Sequence, residues 1–150
     1  MVSSDIAQDE NYMRRCIELG RAASREGESP VGSLVLRDGR VIAEAGERTK
    51  RDFDVTAHAE VLAIRGATRA TRSTDLSGCT LYTNVEPCVL CSYAIRTTRI
   101  DRVVIGVPTR ALGGLSSSYP ILRDADISSF GAPPAITQGV LASESEDLFR

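Results

Sequence analysis

The chain of 150 residues contains one histidine, His58, one lysine, Lys50, and no tryptophan. Its 18 basic and 20 acidic residues leave a formal net charge of −2, so overall charge gives no reason to expect nucleic acid or an anionic membrane as a partner. No apolar run approaches the ~20 residues that span a bilayer, and the N-terminus lacks the basic start and apolar stretch of a secretion signal. We therefore expect a cytoplasmic protein without a membrane partner.

The length of the chain bounds its organisation. A chain of 150 residues can bury a sizeable core as one domain, and no linker, repeat or low-complexity segment divides it, so residues 1–150 are predicted to form a single domain. Its four cysteines would stay reduced in the cytoplasm. There a Cys-x-x-Cys pair is more often metal-binding or redox-active than a structural disulfide.

Hydrophobic spacing predicts alternating helices and strands. Apolar residues at helical spacing predict a helix over residues 9–25. Asp38 and Gly39 separate two apolar runs, over residues 31–36 and 41–45, which predicts a hairpin with a tight primed turn. Helices are also predicted over residues 57–70 and 88–96, strands over 80–83, 102–105 and 135–140, a long loop around 113–118 and a helical turn or tail over 143–149. This order predicts an α/β fold with helices on both faces of one mixed sheet.

A candidate metal site comes from three residues. His58 lies two positions before Glu60, and a Pro-Cys-x-x-Cys segment supplies Cys88 and Cys91. Catalytic zinc sites keep three protein ligands and leave a fourth position to water. The two cysteines are three residues apart, so they share one face of the predicted helix, and its first turn favours thiolate. We therefore predict Zn²⁺ as the cofactor, bound by His58, Cys88 and Cys91.

The position of Glu60 indicates a different task. On a regular helix it would lie about 200° from His58, which makes it a poor co-ligand and a better proton carrier. The His-x-Glu and Pro-Cys-x-x-Cys pair is the established signature of zinc deaminases that act on nucleobases. Up to about Gly106 the chain resembles the cytidine deaminase superfamily. That resemblance implies a three-layer α/β/α sandwich with a mixed five-stranded sheet, hydrolytic release of ammonia with Glu60 as the catalytic proton carrier, and a homo-oligomer, commonly a dimer.

Two other interpretations of the cysteines stay open. Cys79 precedes a predicted strand and would close a structural zinc site if it served as a fourth ligand. A thioredoxin-type redox pair is the second alternative, but it leaves the His-Ala-Glu segment unexplained. Cys16, on the apolar stripe of the first helix, is expected in the core, and so is Cys79.

The substrate is the least constrained expectation. Residues 80–82 (Thr-Leu-Tyr), Glu86 and the Thr-Ala-His-Ala-Glu segment resemble the branch that holds tRNA adenosine deaminases, guanine deaminases and related free-base deaminases. A tRNA enzyme needs a basic surface, because phosphate contacts supply most of the affinity, whereas this chain is acidic, with acidic residues at 144, 146 and 147. Arg96, Arg99 and Arg102 form a cluster that would suit a phosphate, although such clusters are more often solvated faces. We expect a small heterocyclic substrate, with a tRNA adenosine deaminase as the alternative.

Four further residues are candidates for substrate contact. The resemblance aligns Glu47 with a base-reading asparagine, and an ionised glutamate offers only acceptors. A base with N–H donors is therefore expected, such as a guanine-like, isocytosine-like or aminotriazine compound; the alternative is a loop charge at the surface. The backbone N–H of Ala59 is expected to donate to the substrate. Phe53 would stack on the base or pack the loop onto the core, and Phe149 would close the pocket or anchor the C-terminal tail.

Overall fold

The computed structural model describes residues 3–109 and 111–150. Within these residues there are four α-helices, five β-strands and one short 3-10 turn at Ser128–Phe130. Their bounds are α1 Ser3–Arg25, β1 Gly32–Arg37, β2 Arg40–Gly46, α2 Ala59–Thr71, β3 Cys79–Val85, α3 Val89–Thr98, β4 Arg102–Val107, β5 Ala135–Thr137 and α4 Ala142–Asp147. No helix in the described part of the chain is both long and apolar enough to cross a membrane.

The five strands form one mixed sheet in the order β2-β1-β3-β4-β5. β1 is antiparallel to both β2 and β3, whereas β3, β4 and β5 are parallel to one another. In such a sheet the carboxyl ends of the parallel strands share one edge, and ligands of α/β folds bind beyond that edge. The predicted α/β fold with a mixed five-stranded sheet is confirmed.

Two separate cores cover the two faces of the sheet. Neighbouring residues in a strand point to opposite faces, so Val35 packs with α2 and α3 while Leu34 packs with α1. The row of paired residues that contains Leu34 continues through Tyr82 and Val104, on the face that α1 and the residues flanking α4 cover. Residues on both faces of β1, β3 and β4 pack against a core, and these three strands are therefore almost wholly buried.

The hairpin forms at the residues that the turn chemistry predicted. Arg37 pairs with Arg40, and Asp38 and Gly39 have φ values of 49° and 74°. A primed turn needs positive φ at both central residues, which aspartate tolerates and glycine adopts freely. This turn places β2 at the outer edge of the sheet, next to α2.

Several predicted boundaries are wrong by a few residues. α1 begins at Ser3 and not at residue 9, and β5 ends at Thr137 and not at residue 140. More important for the site, α2 and α3 begin one residue after His58 and Cys88, which are the extended N-cap residues of these helices. Two of the three proposed metal ligands, His58 and Cys88, therefore lie just outside a helix, where the chain turns from extended to helical conformation, and Cys91 lies in the first turn of α3.

Two arginines of the cluster that we considered as a phosphate site bind other groups of the protein. Arg96 is only 2% exposed, and its guanidinium donates hydrogen bonds to the carbonyl oxygens of Ile121, Asp124 and Gly131. Arg102 forms an ion pair with Asp9, which leaves Arg99 as the exposed member of the three. The cluster is thus neither a solvated face nor a phosphate-binding patch, because two of its members bind the protein itself.

The ion pair of Asp9 and Arg102 joins α1 to the sheet. Two bonds of 3.0 and 2.6 Å connect the guanidinium to both carboxylate oxygens, and the Tyr82 hydroxyl donates a third bond of 2.6 Å to Asp9. Burial alone would raise the pKa of Asp9, but the hydrogen bonds from Arg102 and Tyr82 outweigh it and lower that pKa. Arg102 also donates to Thr137 Oγ1, so the network spans α1, β3, β4 and β5.

The lowered pKa predicts how stability depends on pH. A carboxyl whose pKa is lower in the folded state stabilises the fold above its unfolded pKa, and this contribution is lost as the pH falls through the folded value. We expect Asp9→Asn to lower the free energy of unfolding by about 1–3 kcal/mol at pH 7. The difference from the wild type should shrink below about pH 4, measured by urea unfolding from pH 3 to 7. Asp126→Asn, at an exposed loop position, is the control, and a difference that does not change with pH would contradict the prediction.

Candidate metal centre and active site

Two helix starts bring the three predicted metal ligands together. His58 Nδ1 lies 3.4 Å from the sulfur of Cys88 and 3.4 Å from the sulfur of Cys91, and the two sulfurs are 3.7 Å apart. Ligands at normal Zn–S and Zn–N lengths around a tetrahedral zinc ion stand about 3.5–3.8 Å from one another. One histidine and two cysteines at these separations fit zinc.

The three side chains also alter one another's acidity. The pKa of Cys88 falls to about 4, because its contacts with Cys91 and with His58 favour the thiolate. The same contact with Cys88 raises the pKa of His58 to about 9. The pKa of Cys91 is raised by its contact with Cys88 and by burial. Zinc takes thiolate and neutral imidazole, so metal binding releases the protons of Cys91 and His58.

A cavity of about 340 Å³ opens beside the metal ligands. This volume lies at the lower end of the range of small-molecule sites. The cavity is lined by His58, Cys88, three carboxylates and one aromatic residue, namely Glu47, Glu60, Glu86 and Phe149. Of the four candidates for substrate contact, Glu47 and Phe149 therefore lie at the cavity.

Glu60 occupies the position expected of a proton carrier. It is the second residue of α2, is 4% exposed and lines the cavity next to His58. Burial raises the pKa of Glu60 to about 8. A carboxyl group that titrates near neutral pH can both accept and donate a proton during a reaction. Its carboxylate is not part of the group of mutually close ligand atoms that the described residues form, which fits a role separate from metal binding.

Glu47 contacts the start of α2. Its Oε1 accepts a hydrogen bond of 3.0 Å from the backbone N–H of Ala59, and burial raises its pKa. The Ala59 N–H is therefore already engaged, contrary to the expectation that it would be free to donate to a substrate. Glu47 thus engages this backbone donor and adds acceptor oxygens to the cavity wall.

Phe53 and Cys79 do not reach the site. Phe53 is 96% exposed in the loop before His58, so it neither lines the cavity nor packs onto the core. Cys79 is the first residue of β3 and is buried in the core between the sheet and α2, whereas the site lies beyond the last residue of that strand. A seven-residue strand is about 20 Å long, so Cys79 is no fourth ligand. Cys16 lies in the other core, as predicted.

Two features of the cavity were missed at the level of sequence. Glu86 was noted only as part of a motif, although it is buried and lines the cavity. The chain after β4 was predicted only as a loop, yet Pro108, Thr109 and Ala111 form part of the cavity wall. No local pattern indicates this wall, since it depends on where β4 ends relative to α3.

Comparison with known proteins identifies the class. Residues 6–107 match the family model of the cytidine and deoxycytidylate deaminase zinc-binding region. The chain belongs to this family, within the cytidine deaminase superfamily, which confirms the predicted resemblance and zinc as the cofactor.

Individual relatives narrow the comparison. The tRNA-specific adenosine deaminase of Agrobacterium fabrum is 35% identical over 150 residues, which cover 97% of this chain and 93% of that protein. A solved structure from work on A-to-I editing by tRNA:A34 deaminases is 34% identical, with a TM-score of 0.85 over 92% of this chain and 98% of that one. The guanine deaminase of Bacillus subtilis is 31% identical, with a TM-score of 0.64 over 81% and 70% of the two chains. The chain is thus more similar to these tRNA adenosine deaminases than to the guanine deaminase in sequence identity, in coverage and in TM-score.

The ligand set predicts which cysteine substitution removes the metal. We expect Cys91→Ser to weaken zinc binding by about tenfold or more, whereas Cys79→Ser should keep about one zinc per chain. Both cysteines are completely buried, so the second variant controls for the loss of a buried thiol. Metal content after gel filtration, measured by mass spectrometry, tests this. Equal loss of zinc from both variants would support the closed four-ligand site.

Proposed function

We propose that this protein catalyses hydrolytic deamination of a nitrogen heterocycle. Water replaces an exocyclic amine: a C–O bond forms, the C–N bond breaks, and ammonia leaves. The observation that carries the proposal is the buried carboxyl of Glu60 in the same cavity as His58 and Cys88. When bound, zinc lowers the pKa of water to about 7 and so supplies hydroxide at neutral pH.

Glu60 moves the protons in this proposal. Its carboxylate takes a proton from the attacking water and delivers it to a ring nitrogen. It then takes the second proton from the hydroxyl group newly bonded to the ring carbon and gives it to the departing amine, so that ammonia leaves and a carbonyl group forms. Because the side chain is 4% exposed, bulk water competes little for these protons. General acid–base catalysis of this kind contributes about 10²–10⁴-fold to a rate.

The first candidate substrate is an adenosine in tRNA. This candidate is supported by the similarity over nearly the whole chain to tRNA-specific adenosine deaminases. The cavity of about 340 Å³ is large enough for one base. A base of a tRNA loop would enter it unstacked, as bases do in other enzymes that act on them.

The second candidate is a small free base with N–H donors, and Glu47 is the observation that favours it. The carboxylate lines the cavity and occupies the Ala59 N–H, so this part of the wall presents acceptors. Arg96 binds the Asp124 carbonyl and Arg102 forms an ion pair with Asp9, so these two side chains are not available to bind phosphates. The homodimer and the cytoplasmic location stay predictions under both candidates.

Substitution of the proton carrier tests the reaction itself. Glu60→Gln should lower kcat by about 10²–10⁴-fold while it retains zinc, because the amide cannot exchange the proton. The measurement is ammonia release by the zinc-loaded protein on tRNA, adenosine, guanine, isocytosine and aminotriazines, with metal content determined in parallel. Glu18→Gln, an exposed change on α1, is the control. Unchanged turnover by the Glu60→Gln variant on the best substrate would refute the role of Glu60.

Salt separates the two substrate classes within the same assay. A contact with several phosphates loses affinity steeply as salt rises from about 50 to 200 mM, whereas a neutral free base does not. If tRNA is the substrate, we expect KM for tRNA to rise steeply over this range. Turnover of free bases alone, insensitive to salt, would exclude tRNA in favour of the small base.

Replacement of Glu47 tests whether this side chain selects the base that the cavity binds. If a donor-bearing base is the substrate, Glu47→Asn should lower kcat/KM for that base by about 10- to 100-fold, because asparagine is shorter and replaces one of the two acceptor oxygens by an N–H donor. Activity on adenosine should be unchanged or higher. Glu47→Gln keeps the side-chain length and shows whether charge or reach is responsible. Equal kcat/KM on the preferred base for all three proteins would end the specificity role of Glu47.

A further inference from the structure

The chain that follows β4 is docked onto the metal-binding turn. We refer to residues 112–116 as the clasp segment. The backbone N–H of Val89 donates to the Leu112 carbonyl at 3.0 Å, and the N–H of Gly114 donates to the Pro87 carbonyl at 2.9 Å. Cys88 and Gly113 pair as an isolated antiparallel bridge. Main-chain bonds to the clasp segment therefore flank Cys88 on both sides.

The clasp segment lies closer than most residues would permit. A Cβ atom on Gly113 would stand 1.9 Å from Oε2 of Glu86, and one on Gly114 would stand 1.9 Å from the Ser92 hydroxyl. Only glycine allows the backbone to approach a neighbour to this distance. Two consecutive glycines thus let the segment pack directly against Glu86 and the first turns of α3.

Glu86 is the side chain that anchors this segment. It is 2% exposed, and its Oε2 accepts three hydrogen bonds of 3.0 Å, from the N–H of Leu115, the N–H of Ser116 and the Ser116 hydroxyl. Its own N–H donates to the Val107 carbonyl at 2.8 Å, at the end of β4. Burial of a carboxyl is costly without such partners, and here all three side-chain bonds go to one short segment.

We propose that Glu86 is a positioning residue, which holds the clasp segment and thereby fixes both the Cys88 turn for zinc and the adjoining cavity wall. Glu86 precedes Pro87 and Cys88 in the chain, so one residue joins the metal turn and the segment that covers it. The inference depends on the zinc site of the proposed function but not on which base is deaminated. Glu86 acts through Cys88 and the wall rather than on the reacting atoms.

The rate of zinc release shows whether Glu86 positions the metal ligands or only stabilises the fold. Residues that orient metal ligands typically change metal affinity by about 10- to 100-fold when they are removed. We expect the zinc-loaded Glu86→Ala protein to release zinc to a chromogenic chelator at least about tenfold faster than the wild type. Glu86→Gln, which keeps the shape and one acceptor oxygen, should restore most of the difference.

A matched control lies at the opposite end of the same strands. Asp101 Oδ2 accepts a hydrogen bond of 2.7 Å from the Gly78 N–H, so it is also a carboxylate that ties a backbone segment, but just before β3 and β4 begin. Asp101→Ala should reduce thermal stability and leave the rate of zinc release unchanged. Equal acceleration of zinc release by Asp101→Ala and Glu86→Ala would overturn the proposal, and so would a wild-type rate in Glu86→Ala.

A milder change covers the case in which Glu86→Ala does not fold. Ser116→Ala removes one of the three bonds to Glu86 and should accelerate zinc release by about two- to tenfold. A wild-type rate in that variant would likewise overturn the proposal. Where turnover is measurable, KM should rise more than kcat falls, because the wall moves and Glu60 does not. Zinc release needs no substrate, so a failure of the proposed reaction on every substrate would be distinguishable from a failure of this inference.

Discussion

The candidate metal site and the cavity beside it depend on one contact. His58 Nδ1 lies 3.4 Å from the sulfur of Cys88 and 3.4 Å from the sulfur of Cys91. It forms because His58 and Cys88 are both N-cap residues, and their two helices start at the same edge of the sheet. The parallel pairing of β3 and β4 brings their carboxyl ends to that edge, so everything that follows these strands is available to the metal and the cavity. Helix starts also favour thiolate, which is the form that binds zinc.

The cavity next to this contact has a carboxylate, that of Glu47, on its wall. Glu47 Oε1 accepts a hydrogen bond from the backbone N–H of Ala59. This N–H is therefore engaged within the protein, and the carboxylate of Glu47 offers acceptor oxygens. The relatives that match over nearly the whole chain include tRNA-specific adenosine deaminases, and in this chain Glu47 places a carboxylate on the cavity wall. One side chain in a cavity can change which hydrogen bonds a base must supply, so similarity in fold does not by itself fix the substrate.

The arginines close to one another in the sequence do not form one surface. Arg96 was grouped with Arg99 and Arg102 because they are close in sequence, but a helix end and a strand start direct them to different places. Arg96 binds three carbonyl groups of the loop that follows the cavity wall, and Arg102 neutralises Asp9 between α1 and the sheet. Both side chains stabilise the fold, so their number says little about a phosphate-binding surface. In the same way Phe53, a candidate for stacking, is exposed, while Phe149 from the end of the chain reaches the cavity.

The sequence by itself determined the three residues of the candidate metal site, the Asp38-Gly39 turn and the α/β class. The role of Glu60 as a proton carrier is a prediction from the same sequence. Each of these depends on short spacings: Cys91 follows Cys88 by three positions, Glu60 follows His58 by two, and apolar residues alternate along a strand. Only the tertiary structure decided that Cys79 lies a strand length away from the candidate metal site, that Glu47 accepts a hydrogen bond from the Ala59 N–H, and that Leu115 and Ser116 bind Glu86. These contacts join residues that are 12 to 30 positions apart or lie at opposite ends of one strand. Their geometry follows from sheet order and from where each strand ends, which no local pattern encodes.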